Sequence, residues 1–272
     1  MKTTVFIGGG RITSALIAGL RLAKYPRPII VHDRHREKLL ALKLQCQVRI
    51  ATDFQSAVEA ASLLILAARP ESMPELVNQI TRAHTRRSMT AVSLAAGIPL
   101  AVLETSPGGT VQWARAMPSP VCRTGRGLTA LAFGKSVSPA NRKEILKFFS
   151  LVGRIVEIPE RQFDAFTVTF SSSHGYHSLA SLIEAAQAAG LKRETAALAA
   201  SHALGDAVAS WRSGTSPLDE LMREAATPGG IAAAVMESLD RAGYHEMLTT
   251  ALRRGLERAK KNARLFSQRK SG

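Results

Sequence analysis

Val5-Phe6-Ile7-Gly8-Gly9-Gly10-Arg11-Ile12-Thr13-Ser14-Ala15 stands at the start of the chain, and its reading decides the fold. An apolar run with strand character meets a Gly-x-Gly turn and passes directly into a helix-like segment. Gly8 permits the tight turn. Gly10 lets the backbone approach a pyrophosphate resting on a helix N-terminus, where free N–H groups and the helix dipole favour an anion. The third small position of the pattern holds Thr13 instead of Gly or Ala. Roughly twenty residues later a second apolar run, Pro28 to His32, ends in Asp33-Arg34-His35-Arg36, where dinucleotide folds handle the adenosine ribose.

The alternation continues from there. Val5–Ile7, Ile29–Val31, Leu63–Ala67, Thr90–Leu94, Val111–Ala114, Gly127–Ala132 and Gly153–Ile158 read as buried strands. Ile12–Leu22, Arg36–Leu42, Phe54–Ala60 and Met73–Arg82 have the apolar spacing of covering helices. This order predicts an α/β fold with a Rossmann-type, mainly parallel, doubly wound sheet. From Arg161 onward strand-like runs stop, and helical stretches follow at Ser178–Ala189, Arg193–Ser213, Leu218–Ala226, Gly230–Ala242 and Tyr244–Arg264. The expected organisation is a dinucleotide-binding domain over 1–160 and an all-helical dimerisation and substrate domain over 161–272. The second part is short for a core of its own, which points to burial against a partner subunit.

Composition narrows the class. Of 272 residues, 46% are apolar and 5% aromatic, as in a globular protein built from Ala, Leu, Val and Ile. Met1-Lys2 leads straight into the first strand, so no targeting leader is expected, and no apolar stretch is long enough for a membrane span. Two cysteines, Cys46 and Cys122, suit a reducing cytoplasm and are too few for a disulfide framework or a metal cluster. The net charge of +15 is concentrated in two segments. Residues 253–272 carry eight basic residues against Glu257 alone, read as a solvated terminal helix and outward-projecting tail; residues 21–43 carry seven against Asp33 and Glu37. No nucleic-acid motif accompanies the charge and aromatics for base stacking are few, so nucleic acid is not the expected partner.

Five further blocks carry chemistry. Ile65-Leu66-Ala67-Ala68-Arg69-Pro70 ends a strand where a coenzyme would cross the carboxyl edge of the sheet, bringing Ala68, Arg69 and Pro70 into reach. Ser93-Leu94-Ala95-Ala96-Gly97-Ile98 ends the next strand in small residues, leaving room for a ring beside Ala95. Arg115-Ala116-Met117-Pro118-Ser119-Pro120 enters a Gly-rich loop and reads as a rigid wall containing Met117. Ser171-Ser172-Ser173-His174-Gly175-Tyr176-His177 precedes a helix, and its hydroxyls and free N–H groups suit a substrate carboxylate or a helix cap, with Ser173 as the cap. Thr227-Pro228-Gly229-Gly230 opens another helix in the same manner.

Taken in order, these blocks resemble the pyrroline-5-carboxylate reductase family over residues 3 to 265. The matching stretches are Phe6–Gly10, Leu66–Pro70, Ser93–Ile98, Arg115–Pro118, Asp164 with Thr167, Ile183-Glu184-Ala185 and Pro228–Gly230. The resemblance implies an N-terminal Rossmann domain and a helical C-terminal domain interlocked with its mate in a homodimer. It also implies NAD(P)H-dependent reduction of a cyclic imino acid to proline. Coenzyme contacts are then expected from Gly8, Gly10, Arg11, Ile12, Asp33, Arg34, Ala68, Arg69, Pro70, Ala95 and Met117; Arg34 and Arg36 lean toward the 2′-phosphate of NADPH, while Asp33 suits the free ribose 2′-hydroxyl of NADH. Ser172, Ser173, Thr227, Gly229 and Gly230 are the expected substrate contacts, and His174, Tyr176 and Ser172 the expected catalytic groups. No metal is expected.

Three substrate-facing motifs depart from the family pattern. Met-Pro-Asn-Thr-Pro is Met117-Pro118-Ser119-Pro120-Val121, and Ser-Gly-Ser-Gly-Pro-Ala-Tyr is Phe170-Ser171-Ser172-Ser173-His174-Gly175-Tyr176. Ser-Pro-Gly-Gly-Thr-Thr is Thr227-Pro228-Gly229-Gly230-Ile231-Ala232, which removes two hydroxyls. These departures predict poor activity on pyrroline-5-carboxylate itself. They leave two alternatives beside the main reading: a reductase of a different imine, or a coenzyme-binding relative without turnover.

Overall fold

In β1 (Thr4–Ile7), Val5 and Ile7 belong to one buried cluster and Phe6 to the other. A strand buried on both faces needs helices above and below it, which crossover connections between parallel strands supply. The computed structural model describes residues 2–83, 89–105 and 111–270. After β1 come α1 (Arg11–Leu22), β2 (Ile29–His32), α2 (Arg36–Cys46), β3 (Arg49–Ile50), α3 (Phe54–Ala60) and β4 (Leu63–Leu66). A 3-10 turn (Pro70–Ser72) leads to α4 (Met73–Ala83), then β5 (Met89–Ser93), α5 (Leu100–Glu104) and β6 (Val111–Pro118). β7 (Gly127–Phe133), α6 (Pro139–Ser150) and β8 (Gly153–Glu157) complete the sheet, whose order is β3-β2-β1-β4-β5-β6-β7-β8.

All neighbours are parallel except β6 and β7, which pair antiparallel from Ala114↔Phe133 to Pro118↔Thr129. The reason is the connection. Ser119 to Arg126 holds only a 3-10 turn (Pro120–Thr124), too short for the helical crossover that a parallel pair needs. One face of the sheet carries Phe6, Val31, Ile65, Val92, Ala114 and Leu131 in a cluster with Leu16, Leu20, Leu39 and Phe148. The other carries Leu64, Leu66, Ala91, Trp113 and Ala130 with Val77, Leu103 and Phe163. The mainly parallel, doubly wound sheet read from the sequence is the one observed.

The remaining elements are helices: α7 (Glu160–Thr169), α8 (Ser172–Ala188), α9 (Arg193–Ser213), α10 (Leu218–Ala225), α11 (Ile231–Arg241) and α12 (Tyr244–Lys270). Two compact units result, Met1–Phe170 with Arg254–Gly272, and Ser171–Arg253. Within the second unit, α8 and α9 pack against each other.

Three local expectations change. α8 begins at Ser172, ahead of the expected Ser178, because the cap is Ser171: its Oγ accepts from the Ser173 N–H at 3.4 Å and lies 2.6 Å from the Ser173 Oγ. Arg115-Ala116-Met117-Pro118 is not a wall beyond the strand but the end of β6, held in register by β7. Finally, the basic C-terminal segment does not project as a tail. Arg254, Arg258, Lys260, Lys261 and Arg264 are exposed along one face of α12, while Ala259 and Phe266 on the other are buried. The side chains of Arg269 and Lys270 lie outside the described residues.

Candidate functional site: the carboxyl edge of the sheet

The turn after β1 is held from both sides. Gly8 donates its N–H to the His32 carbonyl at 2.8 Å and adopts φ +105°, and a Cβ there would fall 2.5 Å from the Ala67 carbonyl oxygen. Thr13, fully buried, donates from Oγ1 to the Gly8 carbonyl at 2.6 Å. The third position of the motif thus contributes a hydroxyl clamp instead of mere smallness, a role that only the folded turn reveals. Gly10 is the N-cap residue of α1; no side chain caps that end, and a Cβ on Gly10 would meet no atom within 4 Å. Arg11 and Ile12 form the first turn, with Arg11 exposed. Free helix N–H groups in front of an open glycine fit a pyrophosphate.

Asp33, at the end of β2, turns inward. Its Oδ2 accepts the Gly9 N–H at 2.7 Å, and its Oδ1 accepts the His35 N–H at 2.8 Å and lies 2.9 Å from the His35 ring nitrogen. Burial by itself would raise the Asp33 pKa. The N–H donors of Gly9 and His35, the His35 ring and the Lys38 charge outweigh it and hold the carboxyl below the usual carboxylate range. Arg34 and Arg36 face solvent beside it.

Ala68 and Arg69 follow β4, and Pro70 starts the 3-10 turn. Ala95 is buried after β5 and donates its N–H to the Ser93 Oγ at 3.3 Å. Met117 is half-buried near the end of β6. Gly8, Gly10, Arg11, Ile12, Asp33, Arg34, Ala68, Arg69, Pro70, Ala95 and Met117 therefore lie along one carboxyl edge, on β1, β2, β4, β5 and β6 or the segments that follow them. Strand order reverses between β1 and β4, which is where open α/β sheets form their ligand crevice.

The other candidates belong to the second unit. Ser172, Ser173, His174 and Tyr176 occupy the first turns of α8 and all are exposed, Tyr176 by 71%. Thr227 is exposed before α11, Gly229 has φ +74°, and Gly230 is the N-cap residue, donating its N–H to the Thr227 carbonyl at 2.9 Å. Ile231, where the family pattern has a hydroxyl, is 88% exposed.

A family model described as pyrroline-5-carboxylate reductase dimerisation matches residues 160–262, and one described as NADP oxidoreductase, coenzyme F420-dependent, matches residues 3–97. The pyrroline-5-carboxylate reductase of Corynebacterium melassecola is 31% identical over 249 residues, 89% of this chain and 92% of that protein. That of Methanosarcina acetivorans is 31% identical over 262 residues, 94% of this chain and 96% of that protein. Among solved structures, a Plasmodium falciparum pyrroline carboxylate reductase with NADP bound superposes with a TM-score of 0.86 at 21% identity, covering 96% of this chain and 98% of that one. The fold, shared over 96% of the chain, and the sequence identity to the curated relatives lead to one conclusion: the chain belongs to the pyrroline-5-carboxylate reductase family and is an NAD(P)H-dependent oxidoreductase.

Proposed function

We propose that this protein reduces the C=N bond of a cyclic imino acid with NADPH. The observation that carries the reading is the glycine turn: an open α1 N-terminus without a side-chain cap at the strand-order reversal, in a chain that matches pyrroline-5-carboxylate reductases over 89–94% of its length. Gly8 shapes the turn, and Gly10, Arg11 and Ile12 hold the pyrophosphate on it through backbone N–H groups. Arg34 and Arg36 pair with a ribose 2′-phosphate while Asp33 stays bound to Gly9 and His35. Ala68, Arg69, Pro70, Ala95 and Met117 line the nicotinamide side. When bound, the coenzyme supplies hydride to the imine carbon. An imine already protonated needs little acid catalysis, so the chain's own task is positioning. Ser172 and Ser173 bind the carboxylate through their hydroxyls. His174 and Tyr176 stand near the ring nitrogen, and Thr227, Gly229 and Gly230 close the substrate pocket.

Ile231 and Ala232 favour a particular substrate range: a ring bulkier or less polar than pyrroline-5-carboxylate. A pocket that trades hydroxyls for apolar groups leaves a small polar ring's own atoms unpaired. Nicotinamide absorbance followed across a panel of cyclic imines tests this. We expect turnover of at least one bulkier imine and slow turnover of pyrroline-5-carboxylate, well below the ~10 per second of an ordinary enzyme. NADPH binding with no turnover of any imine would make the protein a non-catalytic relative.

The proposal includes a cytoplasmic homodimer. Support comes from the dimerisation model matched at 160–262 and from exposed apolar side chains on the second unit, among them Leu198, Trp211, Val235 and Met247. The proposed division of labour is coenzyme binding by 1–160 and dimerisation with substrate binding by 161–272. Cys46 and Cys122 are both unpaired and buried, and no helix among the described residues is long and apolar enough to cross a membrane. A concentration-independent monomer in sedimentation velocity would overturn the assembly.

A further inference from the structure

The last helix returns to the sheet edge. Gly97, at φ +73°, lies so close under Ala259 that a Cβ on it would fall 2.7 Å from the Ala259 carbonyl oxygen and 2.8 Å from its Cα. One turn further on, Asn262 donates from Nδ2 to the Ala96 carbonyl at 3.2 Å. Phe266, 1% exposed, is anchored in the same buried cluster as Ala95, Ile98 and Leu103. Asn262, Leu265 and Phe266 also line a small hollow with Pro70, Glu71 and Pro74, and Arg258 comes within 3.8 Å of Glu71. Residues 259, 262, 265 and 266, with exposed Arg258 at the rim, thus bring one side of α12 against the segments that follow both β4 and β5.

That loop has little to hold itself with. Ala95 is packed in the core and bonded to Ser93, but Ala95-Ala96-Gly97 carries no hydrogen-bonding side chain, so the height of Ala96 and Gly97 above the sheet depends on what packs over them. Its place along the edge matters. Asp33 and Arg34 end β2 on one side of β1, whereas β4 and β5 lie on the other. A dinucleotide whose pyrophosphate rests on the Gly8–Gly10 turn, with its adenosine ribose at β2, therefore extends its nicotinamide half toward the loops under α12.

We infer that Ala259 and Asn262 are positioning residues for the coenzyme: packed on Gly97 and bonded to Ala96, they set the loop against which the nicotinamide half seats. The inference rests on the proposed coenzyme reading and adds to it a dependence on the C-terminal helix. The loop lets the ring in because it is small; the helix supplies the rigidity that small residues lack.

Calorimetric titration of the full chain with two ligands tests it, NADPH and the adenosine half alone, 2′,5′-ADP. Asn262→Asp is nearly isosteric but sets a carboxylate against the Ala96 carbonyl. It should weaken NADPH about three- to tenfold, the scale of one hydrogen bond, and leave 2′,5′-ADP within about twofold. Asn262→Ala, which deletes the donor without adding charge, carries the same expectation should the first variant fail to fold. A general loosening of the domain would weaken both ligands equally; that result, or unchanged NADPH binding, overturns the inference. A wild-type chain that binds neither ligand overturns the coenzyme reading itself and this inference with it.

Discussion

Arg115 donates from Nη2 to the Asp164 Oδ1 at 2.9 Å, tying the end of β6 to α7. The same guanidinium, 1% exposed, donates from Nη1 to the Glu160 Oε1 at 2.8 Å and stacks 4.1 Å over the Phe163 ring. Glu160 Oε1 also accepts the Leu100 N–H at 2.9 Å, so one carboxylate joins β6, α5 and α7. Arg115→Ala removes the buried guanidinium with its ring contact and leaves two carboxylates, each about a third exposed, without their cation, so it should lower the unfolding free energy by about 2 kcal/mol. Arg115→Lys should recover less than half of that, because one ammonium cannot span both carboxylates. Urea denaturation measures both, and a loss under ~1 kcal/mol for Arg115→Ala would show the network to be dispensable.

The two glycines of the first turn should separate folding from binding. Gly8→Ala places a Cβ against the Ala67 carbonyl at a backbone angle that L-residues avoid, with an expected cost of about 2 kcal/mol in stability. Gly10→Ala has open space and an extended backbone at φ −78°, so stability should hold while NADPH affinity falls. Thermal melts beside calorimetry distinguish the two. Equal behaviour of both variants in both measurements would contradict the assignment.

Arg34 and Arg36 should carry the preference for NADPH. Removing both, as Arg34→Ala with Arg36→Ala, is expected to cost NADPH at least tenfold in affinity and NADH little, since only NADPH offers the 2′-phosphate. Tighter binding of NADH than NADPH by the wild-type chain would leave the arginines as solvated surface and return Asp33 to the ribose hydroxyl.

Acid should destabilise the fold through its hydrogen-bonded carboxylates, the partly buried Asp33 and Glu144 foremost. Glu144, like Asp33, would be raised by burial, but its hydrogen bonds from Lys2 at 2.7 Å and from Arg27 hold it below the usual range. A folded-state pKa below the unfolded one means the stabilisation is complete above the ordinary carboxylate range and is lost as pH falls through about 4 and lower. Melting temperatures between pH 7 and pH 3 should therefore fall most steeply at the acid end. In Glu144→Gln that slope should be shallower; an unchanged slope would assign the acid sensitivity elsewhere.

Neither thiol should react in the native state. Burial pushes Cys122 up to about 11 and raises Cys46 as well, so both are protonated at neutral pH and shielded. Titration with a disulfide reagent at pH 7.5 should find no fast-reacting group before denaturation and two after it. A fast native thiol would mean that the segment around it opens readily.

What the sequence by itself determined was local in origin. Buried strands such as Leu63–Leu66, helices such as α9, and the glycine turn at 8–10 are written in residue periodicity and turn chemistry within a few positions. The edge residues Asp33, Ala68 and Ala95 could be named for the same reason, because each follows directly on a strand. The tertiary structure alone decided what those residues touch. That Asp33 is spent on Gly9 and that Arg115 bridges Glu160 and Asp164 depend on segments distant in sequence meeting in space, and even the local clamp of Thr13 on Gly8 shows only once the turn is folded. The largest change came from the greatest separation. Asn262 reaches Ala96 across 166 positions, and a basic C-terminal stretch that reads as a solvated tail has a second face, small at Ala259 and aromatic at Phe266, that packs onto the sheet edge. Charge pattern shows which side of a helix stays in water; it carries no record of which distant loop will fill the other.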